Sequence, residues 1–123
     1  INVTKTPTVK QSLIATGFPY TDFSRMKGFF ETMDYFMKHS HGLRRLGSAA
    51  TDIVYIACGR FDAFYEYGLH AWDVAAGALI LKQAGGRVCD FNGGEDYLFS
   101  GEIIASNAEI FDEFKLLIRK FMV

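Results

Sequence analysis

The sequence has no excess of charge of either sign. Lys and Arg number 13 against 14 Asp and Glu, the net charge is −1 and the pI is about 6.3. No basic face is visible, which argues against a nucleic-acid partner. Long apolar runs are also missing, so no segment is expected to span a membrane. Cysteine is scarce: Cys58 and Cys89 stand alone with no CxxC spacing. With no signal peptide in view they read as reduced, buried thiols, and the expected location is cytoplasmic. There is no internal repeat, low-complexity tract or linker. The chain opens Ile1-Asn2-Val3 without Met, which points to an excised or processed segment of a longer protein.

What is present is the material of a core. Half of the 123 residues are hydrophobic, and 12 of them are Phe. That composition excludes disorder and fits a single domain over residues 1–123. The first dozen residues are polar and β-permissive, an arm or a strand remnant. Leu13 to Thr16 is a short apolar run closed by Gly17 and Pro19, the pattern of a buried strand.

From Ser24 the period changes. Met26, Phe29, Phe30, Met33 and Phe36 or Met37 follow helical spacing, and the helix ends before Gly42. A second helix is expected over Ser48 to Cys58, with Gly59 at its left-handed end. Ala63 to Tyr67 reads as an aromatic strand. Asp73 to Ala84 is a third helix, stopped by Gly85-Gly86. Its small residues Ala75, Ala76, Gly77 and Ala78 permit close approach of a neighbour. Arg87 to Asp90 and Glu102 to Ala105 are short strands. Ser106-x-x-Glu109 has the form of a capping box before a last amphipathic helix. Strands alternating with helices imply an α/β fold, a largely buried sheet layered with helices. In such folds ligands favour the turns between strand ends and helix starts.

Three turns could carry chemistry. In the first, Gly47-Ser48-Ala49-Ala50 opens a helix, where free N–H groups can receive an anion or a hydroxyl oxygen. Plain capping by Ser48 is the simpler reading there, with Arg44 and Arg45 as surface charge. In the second, Glu66 closes the aromatic strand. It reads equally as an exposed strand-end carboxylate and as an acceptor for the hydroxyls of a polyol; Asp62 reads as a turn residue. In the third, His70-Ala71-Trp72-Asp73, Asp73 sits where an N-cap belongs. The alternative is a carboxylate ligand of Mg²⁺, which takes hard oxygen donors and keeps several waters. Trp72 would wedge the helix end. His70 could bond a metal water or the substrate, though a lone His is more often structural. His39 and His41 receive no role. The chain has no dense carboxylate cluster and no obvious residue to orient an attacking water, both of which two-metal phosphate chemistry needs.

Taken together, these turns resemble the C-terminal half of the inositol monophosphatase family. The string that carries the likeness is Glu66-Tyr67-Gly68-Leu69-His70-Ala71-Trp72-Asp73-Val74-Ala75-Ala76-Gly77, closed by Ala84-Gly85-Gly86. Gly42 to Ala50 and Leu13 to Tyr20 support it. Gln83 stands where the family usually has Glu, at a helix end where no catalytic consequence is expected. The resemblance implies a mixed sheet, the C-terminal half of an α/β/α/β/α sandwich, of which this chain would be one α/β layer pair. It implies a Mg²⁺ cofactor held in part by Asp73. It also implies substrate contacts from Glu66 and Asp73 and from the backbone of Gly47, Ser48 and Ala49, with His70 nearby.

The implied reaction is attack of a metal-activated water on a phosphomonoester such as inositol monophosphate. Bisphosphate nucleotidases and sugar bisphosphatases share the superfamily, and a non-catalytic ligand-binding domain could use the same fold. The family's Asp-Pro-Ile/Leu-Asp-Gly-Thr motif and metal-binding Glu are not in this sequence. No catalytic residue is therefore expected here, and the chain alone is expected to be inactive and to bind Mg²⁺ weakly. Expected partners are a phosphorylated polyol, the N-terminal half of the same protein and, for the full-length protein, a second copy. A sandwich cut between layers exposes an apolar face. Self-association is the expected outcome in light scattering, and a clean monomer at high concentration would count against it.

Overall fold

The computed structural model describes residues 1–18 and 23–123. Pro19 and Tyr20, which the sequence reading used, lie outside the described residues. Among the described residues five strands form one mixed sheet, ordered β2-β1-β3-β5-β4. They are β1 Leu13–Thr16, β2 Gly42–Arg44, β3 Ala63–Tyr67, β4 Arg87–Cys89 and β5 Glu102–Ser106. β1 runs parallel to both β2 and β3, while β5 is antiparallel to β3 and to β4. Four α-helices of the described residues cover it: α1 Met26–His39, α2 Ala49–Ala57, α3 Ala71–Gln83 and α4 Phe111–Met122.

Both faces of the sheet are covered, so the chain has three layers where the family resemblance implied a layer pair. Ile14, Ala63, Tyr65 and Ile104 meet Phe29 and Phe36 of α1 and Phe114 and Ile118 of α4. The opposite face carries Ala15, Phe64, Ile103 and Ala105 against Ile53 and Ile56 of α2 and Val74 and Leu81 of α3. Strand alternation sorts the residues: Tyr65 points one way, Phe64 the other. The small residues of α3 serve the purpose expected of them. A Cβ at Gly77 would lie 3.2 Å from Ile53 Cβ, so the two helices touch where α3 has no side chain. Apolar side chains remain exposed on the outside of the helices rather than on a sheet face, among them Phe30 and Met37 of α1 and, 59% and 77% exposed, Leu79 and Trp72 of α3. Ile1 joins Leu79, Ile80 and Ala84 around a shallow groove there.

Local chemistry departs from the sequence reading in several places. The first residues form an arm rather than a strand; Val3 N–H donates to Ala84 O, and a 3-10 turn spans Val9–Gln11. Gly42–Arg44 is an edge strand that composition did not reveal, because its three residues are too few to show a period. Ser106 does not open a capping box. It ends β5, its hydroxyl donates to Asn107 O, and the Asn107 side chain accepts from Ile110 N–H at 2.9 Å instead. Gly59 and Gly85 take positive φ, +83° and +96°, as helix stops. Cys89 is buried and Cys58 half-buried, and both are free thiols. No helix of the described residues is long and apolar enough to cross a membrane.

Asp62 does more than turn the chain. It stands in a bend before β3 and is only 7% exposed. Its Oδ2 accepts from Leu13 N–H at 2.8 Å and its Oδ1 from the Thr4 hydroxyl. Its backbone N–H donates to Leu13 O at 2.9 Å, and its carbonyl accepts from Asn107 N–H at 3.0 Å. Asp62 thus ties the arm, β1, β3 and the start of the last helix together. Asp62→Ala leaves the Leu13 and Thr4 donors unpaired and is expected to cost about 2–4 kcal/mol. Urea unfolding measures it, and a change below about 0.5 kcal/mol would refute the clamp.

Candidate functional site

The position of the site follows from the order of the strands. The chain leaves β1 into α1 on one face of the sheet and leaves β3 into α3 on the other. Neighbouring parallel strands whose connections diverge open a crevice beyond their carboxyl ends. β2 points the same way, so the loop that starts α2 arrives at the same edge. An open cleft of about 350 Å³ lies there, lined by Gly17, Arg45, Gly47, Ser48, Glu66 and Asp73 among others. The three turns singled out in the sequence therefore form one place.

Gly47, Ser48, Ala49, Glu66 and Asp73 all line this cleft. Ser48 fills both of its readings: it borders the cleft, and its hydroxyl accepts from Thr51 N–H at 3.3 Å as the N-cap of α2. Asp73 is not the N-cap of α3. The helix starts two residues earlier, His70 is the cap, and Asp73 is the third helical residue. Its Oδ2 accepts from His70 N–H at 2.9 Å, the carboxylate half of a capping box. His70 does not line the cleft. Its ring stacks on Trp72 at 4.3 Å and an interplanar angle of 15°. Trp72 borders the cleft but is 77% exposed, so it does not wedge the helix. As the second residue of α3 it projects on the side away from the sheet.

Glu66 is seated by an absence. A Cβ at Gly17 would fall 2.0 Å from Glu66 Oε1, so the carboxylate occupies the space that any other residue at position 17 would fill. Glu66 shares its sheet face with Phe64 and so points toward α2 and α3. Burial pushes its carboxyl up to about 7; the charges of Asp52 and Asp73 add to the rise, and Arg45 opposes it. Arg45 itself lies over the Phe18 ring at 5.2 Å.

Two residues change standing. Asp62, close in sequence to Glu66, sits at the amino end of β3. Four residues of strand, roughly 13 Å, separate it from Glu66. Asp52, which the sequence reading passed over, takes its place. It lies one turn into α2 on the buried face with Ile53 and Ile56, and is 1% exposed. The signal was available: in the helical stripe of Ile53, Ile56 and Ala57, position 52 falls on the apolar side. Burial pushes the Asp52 carboxyl up to about 6, against the pull of Arg45.

The cleft thus gathers the carboxyl groups of Glu66 and Asp73, one arginine and the positive N-terminal end of a helix, with the buried Asp52 carboxyl behind them. That suits a hydroxylated, phosphate-bearing ligand with an accompanying cation. Among the described residues no group of three His, Cys, Asp or Glu side chains is placed to hold a metal ion. The donor set fits one arm of a Mg²⁺ site, Asp73, and not a whole one.

Comparison with known proteins identifies the family and the fold. The model of the inositol monophosphatase family matches residues 1–121. A Nus factor SuhB of Pasteurella multocida is 45% identical over 102 residues, covering 83% of this chain and 38% of that protein. An inositol-1-monophosphatase of Mesorhizobium japonicum is 43% identical over 99 residues, 80% of this chain and 37% of its own length. Among solved structures, inositol monophosphatase from Anabaena superposes with a TM-score of 0.89 at 33% identity, over 98% of this chain and 48% of that one. The extragenic suppressor protein suhB of Bartonella henselae gives 0.90 at 35% identity, over 97% and 45%. The chain spans less than half the length of these relatives.

Stability should carry the mark of the two buried carboxyls. The folded values, about 7 for Glu66 and about 6 for Asp52, lie above the ordinary 4.5 and 3.8. Between those limits the folded chain holds protons that the unfolded chain releases. Stability is therefore highest at the acid end of the window and falls as pH rises through about 6 and 7. Thermal melts across this window should show that slope, flattened in Glu66→Gln and in Asp52→Asn. An unchanged slope in both variants would mean that neither group titrates as described.

Proposed function

The chain belongs to the inositol monophosphatase family, and on that footing we propose that it forms the substrate-hydroxyl side of a Mg²⁺-dependent phosphomonoesterase acting on inositol monophosphate. The observation that carries the reading is the meeting of Glu66, Asp73 and the N-terminal turn of α2 in one cleft. Glu66 accepts hydrogen bonds from vicinal hydroxyls of the ring. The backbone of Gly47, Ser48 and Ala49 faces the ring or its phosphate, with the helix N-terminus favouring negative charge. Asp73 is one of the carboxylates that would hold Mg²⁺. When bound, the ion supplies an activated water and charge stabilisation at the phosphate oxygens. The other carboxylates and the group that orients the water belong to the remainder of a longer protein. That remainder would pack on the exposed apolar side of α3, which is hydrophobic nearly all round and so has the composition of a helix buried on two sides.

Relatives called Nus factors favour a second reading, a domain that uses this fold to bind a partner without chemistry. An upstream Asp-Pro-x-Asp-Gly-Thr segment in the full-length protein separates the two, since catalysis is untenable without it.

The first reading is tested by phosphate release from the full-length protein, comparing inositol monophosphate with a nucleoside bisphosphate. Inositol monophosphate should be preferred. Asp73→Asn should lower kcat/KM by at least about a hundredfold, the scale of losing a metal-linked charge. Glu66→Gln should act mainly on KM, by about tenfold, the worth of one charge-assisted hydrogen bond. Preference for the nucleotide would overturn the inositol assignment, and full activity of Asp73→Asn would overturn the metal role.

A further inference from the structure

Asp52 has no partner that accounts for it. Among the described residues, the buried side-chain oxygens without a hydrogen-bond partner are both oxygens of Asp52 and the Tyr65 hydroxyl. Asp52 is 1% exposed. An ionised carboxylate in that position gives up its hydration and gains no donor in return, which is among the most destabilising arrangements a fold can keep. A leucine there would pack with Ile53 and Ile56 and remove the cost. A neutral acid is the form such a site tolerates, and a neutral acid has a proton to donate.

Its surroundings show where the proton is useful. Asp52 is the fourth residue of α2, one turn behind Ser48, Ala49 and Ala50, whose atoms line the cleft. Glu66 projects from β3 onto the same side of the sheet, into the layer where α2 packs, and the two carboxyls feel each other's charge. The charged groups around the pair are Arg45 from the loop before α2 and Asp73 from α3. Gly17 closes the remaining side of Glu66 with bare backbone. Gly17 fixes where the Glu66 carboxylate can lie but offers no side-chain donor to fix how it turns.

We propose that Asp52 is a positioning residue, a neutral acid that donates its proton toward Glu66, directly or through one bridging water, and holds that carboxylate in the orientation that receives the substrate's hydroxyls. The pair then shares one proton between two carboxyls, and Asp52 holds it when substrate hydroxyls occupy Glu66. The proposal rests on the reading of Glu66 as the hydroxyl acceptor.

The full-length protein tests it with Asp52→Asn and Asp52→Leu. The amide keeps a donor, so Asp52→Asn should hold KM for inositol monophosphate within about twofold of wild type. Asp52→Leu should raise KM about tenfold with little change in kcat, the signature of one lost ground-state hydrogen bond. It should melt at the same temperature as wild type or higher, because an unpartnered polar group has left the core. A purely structural Asp52 predicts the reverse, a lower melting temperature with KM unchanged. Either that result, or an Asp52→Asn as impaired as Asp52→Leu, overturns the proposal.

An infrared comparison of substrate-free Glu66→Gln and the double variant Glu66→Gln/Asp52→Asn at about pH 5 gives a second readout that needs neither activity nor the leucine variant. The carboxylic-acid band of a protonated buried side chain should be present in Glu66→Gln and lost when Asp52→Asn is added. Its absence from Glu66→Gln overturns the inference whatever the kinetics show. Its presence in a protein that cleaves no phosphomonoester would instead overturn the phosphatase reading alone.

Discussion

The register between β1 and β3 is the constraint on which the rest of the molecule depends. Asp62 clamps Leu13 through both its backbone and its carboxylate. Ile14 then pairs with Ala63, Ala15 with Phe64 and Thr16 with Tyr65. Carried one step further, the same register puts Gly17 beside Glu66, the one alignment in which a bare backbone receives the carboxylate. A slip of one residue would turn Glu66 to the other face of the sheet, into the layer of Phe36 and Phe114, and empty the cleft. The clamp at the amino end of the strands thus sets the chemistry at their carboxyl end.

The parallel pairing adds direction to this alignment. Because β1, β2 and β3 all point the same way, three separate turns are delivered to one edge, and the alternate faces chosen by α1 and α3 leave space between them. The helices then contribute their N-terminal ends. The site gathers its carboxyl groups from three different elements, Asp52 on α2, Glu66 on β3 and Asp73 on α3. None of the three is near another in sequence by less than seven residues.

Much of this was legible beforehand where local chemistry is decisive. The apolar run of Leu13–Thr16, the aromatic Ala63–Tyr67 and the helical period beginning at Met26 became the elements they implied. Gly47, Ser48, Ala49, Glu66 and Asp73 were picked out as turn residues, and the topology brought them together. The misses are those that depend on distant atoms. Gly42–Arg44 is a strand only because β1 lies beside it. Asp62 looked like a turn residue because its partners, Thr4 and Leu13, are some fifty residues away. Asp52 was passed over although it falls on the apolar stripe of Ile53, Ile56 and Ala57, because an acid near a helix start has an ordinary place there and its burial depends on the sheet beneath.

Gly17 and Glu66 are also a pair in the sense that matters to sequence change over time. The fold provides one volume and two positions that could fill it. A side chain acquired at position 17 would push the Glu66 carboxylate, the flexible end of its side chain, away from the place where it meets a hydroxyl. Glycine at the end of β1 is therefore a requirement of the ligand and not of the fold, and a lineage that abandons this ligand is free to vary both positions at once.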